Sequence, residues 1–274
     1  FARYTQRCGA CPQLHSAIEH DVTRLTWQQK RTHLSSLPLV IVAPTSWVEE
    51  RARRSSLFGA HRIERIPVAV DVEVFGGSRD ARARDRAAFG LDDRDVHFFF
   101  GAAALDDARK GMHLLVDALA RLHGRLDEST RARVVLLVAG RDIERTLPRL
   151  PFRTRTLGFL DGDDALATAY RIADAFVCPS IEDAGPMMIS ESLACGTPVV
   201  AFRSGGAADF VDDGVTGALV PLGDVDALTY ALSAAIDRFP GAIDARERAR
   251  ATAVSQLSSV VIAKRYRALY EELV

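Results

Sequence analysis

The chain of 274 residues carries 35 Lys plus Arg against 36 Asp plus Glu, a formal charge of -1, with 48% hydrophobic and 26% charged residues. This composition supports a buried core in one large domain or two modest ones, and its balanced charge excludes the basic field that nucleic-acid binding requires. No apolar run approaches the roughly 20 residues of a membrane span, and residues 1–30 lack the basic-then-apolar pattern of a signal peptide. A cytoplasmic location is therefore expected, with peripheral membrane association left open. The four cysteines are too few for a disulfide framework, and Cys178 and Cys195 sit in apolar contexts where buried thiols are ordinary.

Residues 1–38 are polar and irregular, with Cys8-x-x-Cys11-Pro12 followed by a helix expected over Asp21–His33 that contains Trp27. LVIVAP (39–44) reads as a short buried strand, and Ser46 is the expected cap of a helix from Trp47 to about Phe58. RIERIP (62–67) reads as a second strand. VAVDVEVF (68–75) then leads into GGSRDARARD, whose glycines, charges and lack of an apolar period make it the expected linker.

Beyond the linker, strands and helices alternate. Strands are expected at 97–102, 133–140, 154–160, 174–180, 197–202 and 217–221, with helices at 111–126, 164–173, 187–195, 207–212 and 224–237. Near-continuous apolar strands between amphipathic helices predict a doubly wound parallel α/β sheet, Rossmann-like, over residues 76–250. Ligands of such sheets sit at the carboxyl ends of the strands. A final helix is expected over 255–272, and residues 251–274 are expected to pack back toward the first segment. Residues 1–75 hold a single strand-helix-strand unit, too little to cover a sheet of its own. This piece is therefore expected either to pack on the second domain or to be a partial first α/β domain, and the start at Phe1 rather than Met reads as a cut, disordered or processed N-terminus.

The chemistry concentrates in EDAGPMMISESLACGTPVV, residues 182–200. A strand ends at Ser180, Asp183 lies in the next loop, Gly185 frees the backbone, and Pro186 suits the first position of a helix. That helix would present its free N–H groups and positive dipole end to the strand-end crevice, a setting that favours a phosphate. Asp183 at the lip and Glu191 further along the helix could accept hydroxyls on either side. A nucleotide sugar, with a diphosphate flanked by two sugars, matches this arrangement. Taken alone, the same residues also fit a turn cap at Asp183 and a solvated helix residue at Glu191. Arg109 and Lys110, just before Gly111 opens a helix, add fixed positive charge of the kind that stabilises a departing diphosphate. Lys110 is one of only three lysines in the chain.

These residues resemble the signature of retaining glycosyltransferases of the GT-B fold, family 4 (glycosyl transferases group 1). The match rests on Pro179-Ser180, Asp183, Glu191 eight positions later, and Ala194-Cys195-Gly196-Thr197-Pro198-Val199-Val200. It extends over roughly 39–240: IP..VD...F at 66–75 is similar to the family's interdomain junction, Lys110-Gly111 to its phosphate site, and Gly205-Gly206 and DDGVTG (212–217) to its later loops. The resemblance implies a donor-binding domain in which Glu191 binds the donor ribose, Asp183 a hydroxyl of the transferred sugar, and Lys110 the diphosphate. Gly185, Pro186, Met187, Met188, Gly205 and Gly206 would line the donor site; from fold position alone, backbone groups near Gly158, Phe159 and Leu160 are expected to meet the base. Two departures stand out. The family commonly has Glu then Gly-Phe-Gly where this chain has Asp183-Ala184-Gly185-Pro186, and an Arg where this chain has Ala102, for which Arg109 is the expected substitute.

The implied reaction is metal-independent sugar transfer, with retention, from a nucleotide-sugar donor to an acceptor hydroxyl on a saccharide or lipid-linked glycan, with no cofactor. The alternatives are a nucleotide-sugar-binding module or inactive partner subunit without transfer of its own, and a phosphorylase or epimerase of similar architecture. Asp161-Gly162-Asp163-Asp164 contains an Asp-x-Asp, but its place before a helix predicts capping. Cys8, Cys11, His15 and His20 could complete a zinc tetrahedron, although their spacing is not a familiar zinc pattern; the expectation is no metal. Neither a dinucleotide-binding glycine motif nor a P-loop is present.

Overall fold

The computed structural model describes residues 3–105, 107–141, 143–145, 147–185 and 187–274. The chain divides into two compact units, Phe1–Pro67 and Val68–Val274.

In the first unit, Asp21 organises the irregular start. Its carboxylate accepts hydrogen bonds from the backbone N–H groups of Thr23 and Arg24 and so caps helix α1 (Val22–Leu34), and it also accepts one from Cys11 N at 2.8 Å. Trp27, the one residue that α1 buries, donates its indole N–H to Ser56 Oγ at 3.0 Å. Strand β1 (Val40–Ala43) pairs in parallel with β2 (Arg62–Arg65), helix α2 (Ser46–Arg54) provides the crossover, and Ala43, Ala52 and Ile63 form a small core. The cap of α2 is Thr45, not Ser46. Thr45 has extended backbone and accepts from Val48 N at 3.3 Å, whereas Ser46 is already helical. The helix stops at Arg54, short of Phe58, because Ser55 returns to an extended conformation.

The second unit starts eight residues before the expected junction. Val70 and Phe75 are buried in a core shared with Phe99 and Tyr170, and Val70 N donates to Leu257 O at 2.9 Å. Then follow α3 (Arg79–Ala88), β3 (Val96–Ala104), α4 (Met112–Arg125), α5 (Glu128–Arg133), β4 (Val134–Arg141), β5 (Arg153–Gly158), α6 (Asp163–Ile172), β6 (Ala175–Cys178), α7 (Met187–Ala194), β7 (Val199–Phe202), α8 (Ala207–Phe210), β8 (Gly217–Val220), α9 (Val225–Arg238), α10 (Ile243–Leu257) and α11 (Ser259–Leu273). The six strands β3 to β8 form one parallel sheet in the order β5-β4-β3-β6-β7-β8.

The apolar run of β3 shows why both faces are covered. Phe98 and Phe100 pack with Leu115, Leu119 and Leu232 on one side of the sheet, while Phe99, which points the other way, packs with Tyr170, Leu193 and Leu257. Alternation along a strand requires this. The doubly wound fold expected from the sequence is the one formed. The strand order reverses between β3 and β6, which opens a crevice at their carboxyl ends.

The expected linker is not a linker. Ser78 caps α3 by accepting from Ala81 N at 3.1 Å, and the helix docks through arginines: Arg82 pairs with buried Asp174 at 2.6 Å, and buried Arg86 donates to Ile172 O at 2.8 Å. A helix that packs through charge shows no apolar period. Helix α10 was likewise absent from the expected elements, since the side chains it buries are Ala249, Ala253 and Leu257. Residues 251–274 belong by contact to the second unit. Among the described residues, no helix is long and apolar enough to cross a membrane.

Candidate functional site

The loops after β3, β6 and β7 are fastened together around the reversal point. After β3, Asp107 accepts from Arg109 N at 3.0 Å and sets a single helical turn, Ala108–Lys110, closed by Gly111 at φ +69°. A side chain is excluded at Gly111, because a Cβ there would lie 1.9 Å from Pro179 O in the loop after β6. Ile181 N donates to Arg109 O at 2.9 Å across the same junction. On the other side, Ser204 Oγ donates to Ser180 O at 2.6 Å, and Gly205 (φ +50°) approaches so closely that its Cβ would sit 1.9 Å from Asp183 O.

This fastening holds a charged pair in the crevice. Lys110 Nζ lies 2.9 Å from Asp183 Oδ2, while Asp183 Oδ1 accepts from Gly185 N at 3.3 Å. Gly101, Ala102, Ser180 and Met188 line the same crevice as Lys110 and Asp183. Arg109 points elsewhere: its exposed guanidinium pairs with Asp107 at 2.7 Å, which raises its pKa, with Glu182 and Asp183 contributing from further away.

Glu191 lies in α7, which starts from this crevice at Met187. It is 8% exposed, and its Oε2 accepts the hydroxyl of Tyr170, on α6, at 3.0 Å. Burial raises the Glu191 pKa and the Asp163 charge adds to this, while the Tyr170 hydrogen bond opposes it. Tyr170 is wholly buried between Phe99 and Phe176, with ring centroids 5.3 and 5.2 Å away, and burial first, then Glu191, pushes its phenol pKa well up. Asp183 and Glu191 therefore do not pair with each other: Asp183 lines the crevice with Lys110, and Glu191 is held by Tyr170.

A family model for "Glycosyl transferases group 1" matches residues 94–238, the stretch that builds this crevice. The chain belongs to the group 1 glycosyl transferases. It is 36% identical over 199 residues to the GDP-mannose-dependent alpha-(1-6)-phosphatidylinositol monomannoside mannosyltransferase of Mycolicibacterium smegmatis, covering 66% of this chain and 49% of that one. It is 35% identical over 206 residues to the D-inositol 3-phosphate glycosyltransferase of Kribbella flavida, covering 70% and 47%. Sucrose-phosphate synthase from Thermosynechococcus elongatus superposes with a TM-score of 0.75 at 25% identity, covering 97% of this chain and 66% of that one. The chain spans about half the length of the curated relatives it matches.

Within this chain the other expected site residues fall into three places. Met187, Met188 and Gly185 adjoin the Lys110–Asp183 pair at the start of α7, and Pro186 lies outside the described residues. Gly205 and Gly206 form the turn before α8 on the far side of Asp183. Gly158 ends β5, the edge strand two positions along from β3, and Phe159 and Leu160 follow it, with the Arg141 guanidinium stacked 4.6 Å over the Phe159 ring. The Asp161–Asp164 run does not cap α6 with a side chain. Gly162 holds the cap position at φ +87°, and Asp163 and Asp164 occupy the first turn, where they complement the helix dipole. Cys8 and Cys11 are free thiols, and no group of three or more metal-ligating side chains comes together among the described residues.

Tyr170 was not among the residues singled out from sequence. In ATAYRIAD it reads as one more apolar position of a helix, and only the packing of α6 against α7 brings its hydroxyl to Glu191. Tyr170→Phe should destabilise the free chain by about 1–3 kcal/mol, since a buried acceptor loses its donor, and should raise the Glu191 pKa further. Urea unfolding and carboxyl titration of the variant measure both. Unchanged stability together with an unmoved Glu191 titration would mean that the hydroxyl does not hold the carboxylate.

Proposed function

We propose that this crevice binds the donor of a sugar transfer from a nucleoside diphosphate sugar to an acceptor hydroxyl, with retention and without a divalent metal in the step. The observation that carries the reading is the pairing of Lys110 with Asp183 beside the start of α7, the helix that bears Glu191, at the point where the strand order reverses. In this reading Lys110 leaves Asp183 to take the donor diphosphate, and Arg109 joins it by rotating off Asp107. Asp183, released, accepts a hydroxyl of the transferred sugar, and Glu191 accepts the ribose hydroxyls. Negative charge builds on the departing diphosphate, so cations and helix N–H groups already in place lower the barrier without solvent reorganisation. The two cations supply the charge that a metal would otherwise bring.

GDP-mannose ranks first among donors because the M. smegmatis relative is named for it, and an inositol phosphate or a phosphatidylinositol mannoside ranks first among acceptors because the relatives are named for these. Calorimetry with GDP, UDP and ADP and their sugars tests the donor site. GDP-mannose should bind wild type in the presence of EDTA, and Glu191→Ala should weaken it by roughly tenfold, the loss of one hydrogen bond to a charged group. Equal affinity in the variant removes the ribose contact. NMR of the transfer product tests retention: an α-configured donor should give an α-linked product, and a β linkage overturns it.

Glu191→Gln separates binding from stability. Because the folded carboxyl has a raised pKa, the contribution of Glu191 itself to the stability of the unliganded chain is fully present below the ordinary carboxylate range and is lost as pH rises through the folded value. The variant should lack that decline in urea unfolding followed across pH. A decline of the same size would place its origin in another group.

A further inference from the structure

Six arginines, Arg79, Arg82, Arg86, Arg171, Arg246 and Arg250, line a groove on the second unit. The carboxylates lining it are Asp93, Asp174 and Glu247. It lies at the amino ends of the strands: Asp174 immediately precedes β6 and accepts from His97 N near the start of β3 at 2.8 Å, and Cys195-Gly196 follow the last residue of α7. The Lys110–Asp183 crevice is at the opposite, carboxyl edge of the same sheet.

The charges in the groove do not balance. Arg82 pairs with Asp174 at 2.6 Å, Arg86 with Asp93 at 2.8 Å, and Arg171 with Asp85 at 2.7 Å. Among the described residues, Arg79, Arg246 and Arg250 take part in no ion pair. Arg246 donates to the carbonyls of Arg171 and Ala173, at 3.3 and 3.1 Å, and to Thr197 Oγ1 at 3.0 Å; Arg250 donates to Ala194 O at 2.7 Å. Carbonyls satisfy N–H groups but leave a full positive charge uncancelled. Burial accordingly pulls the Arg246 pKa down to about 9, Arg82 adds repulsion, and Asp174 opposes both. Arg82 Nε is buried with no acceptor at all. Uncompensated guanidinium charge in a recess is costly, and an oxyanion bound there in bidentate fashion would relieve it.

We propose that this groove is a second ligand site, which takes a phosphate-class oxyanion carrying two or more negative charges. Its walls include the carboxyl-terminal ends of α6 and α7, the two helices whose Tyr170 and Glu191 meet inside the domain, so an occupant bears on both.

Thermal unfolding in inorganic phosphate, pyrophosphate or glucose 1-phosphate, each matched in ionic strength with chloride, tests the proposal on wild type, Lys110→Ala and Arg79→Glu. Lys110→Ala removes the cation of the carboxyl-edge crevice. Arg79 is exposed, so its replacement changes the charge at the groove without disturbing the core. The stabilisation by phosphate beyond chloride should persist in Lys110→Ala, and Arg79→Glu should weaken the apparent affinity about tenfold. A stronger response to inorganic phosphate than to glucose 1-phosphate assigns the free ion as occupant, and the reverse order assigns a phosphorylated sugar. Equal stabilisation by phosphate and chloride in wild type overturns the proposal. So does a phosphate response that Lys110→Ala abolishes and Arg79→Glu leaves unchanged.

Discussion

Lys110→Ala is expected to weaken binding of a nucleoside diphosphate sugar by roughly 10- to 100-fold, the largest loss of affinity for any single side chain at the crevice. A hydrogen bond to a charged group contributes about 1.5–3 kcal/mol, and each 1.4 kcal/mol is tenfold in affinity. The substitution also acts a second way. With the ammonium gone, Asp183 keeps its charge beside the space the diphosphate would occupy, held there by Gly185 N and the close approach of Gly205. The variant therefore meets the ligand with repulsion where wild type offers attraction. Lys110→Ala/Asp183→Asn should recover part of the loss by removing that repulsion. Calorimetry on the single and double variants decides it: unchanged affinity in Lys110→Ala would mean that the diphosphate lies elsewhere.

Gly111→Ala should have the largest effect on the fold among the substitutions considered. Alanine in a left-handed conformation costs about 1–2 kcal/mol, and overpacking typically adds about 1–3 kcal/mol. Here the new Cβ would meet a backbone carbonyl, Pro179 O at 1.9 Å, which has no rotamer to escape through. Destabilisation of roughly 2–5 kcal/mol follows, together with loss of donor binding as the loops after β3 and β6 are driven apart. Urea unfolding gives the first quantity and calorimetry the second. A variant as stable as wild type would show that the junction can open without cost.

Much of the fold was legible because its cause is local. The runs HFFFGA and RVVLLVAG can only be strands buried on both faces, and the helices between them carry one apolar stripe. What escaped was of two kinds. Helix α3 and α10 meet the domain through arginines and alanines, so neither leaves a hydrophobic period, and the GGSRDARARD stretch read as a linker. Strand order is the other kind: nothing in the segments says that β3 neighbours β6, and that adjacency is what puts Lys110 beside Asp183. The acids, the Lys-Gly pair and the small-residue turn were readable from type and spacing. The hydroxyl of Tyr170 was not, because its significance depends on the residue it reaches across two helices. Arg109 was readable as a cation, but the sequence could not show that it rests on Asp107 two residues away.

The contact between Lys110 and Asp183 makes the crevice self-neutralised. An incoming simple anion would have to strip the ammonium from its carboxylate and give that carboxylate nothing in return. A ligand that brings both a diphosphate and a hydroxyl replaces each half of the broken contact. In the proposed transfer, the remaining nucleotide would no longer supply the hydroxyl of the sugar, and re-formation of the lysine–aspartate contact would help to expel it. Discrimination against loose phosphate and turnover of the product would then share a single origin.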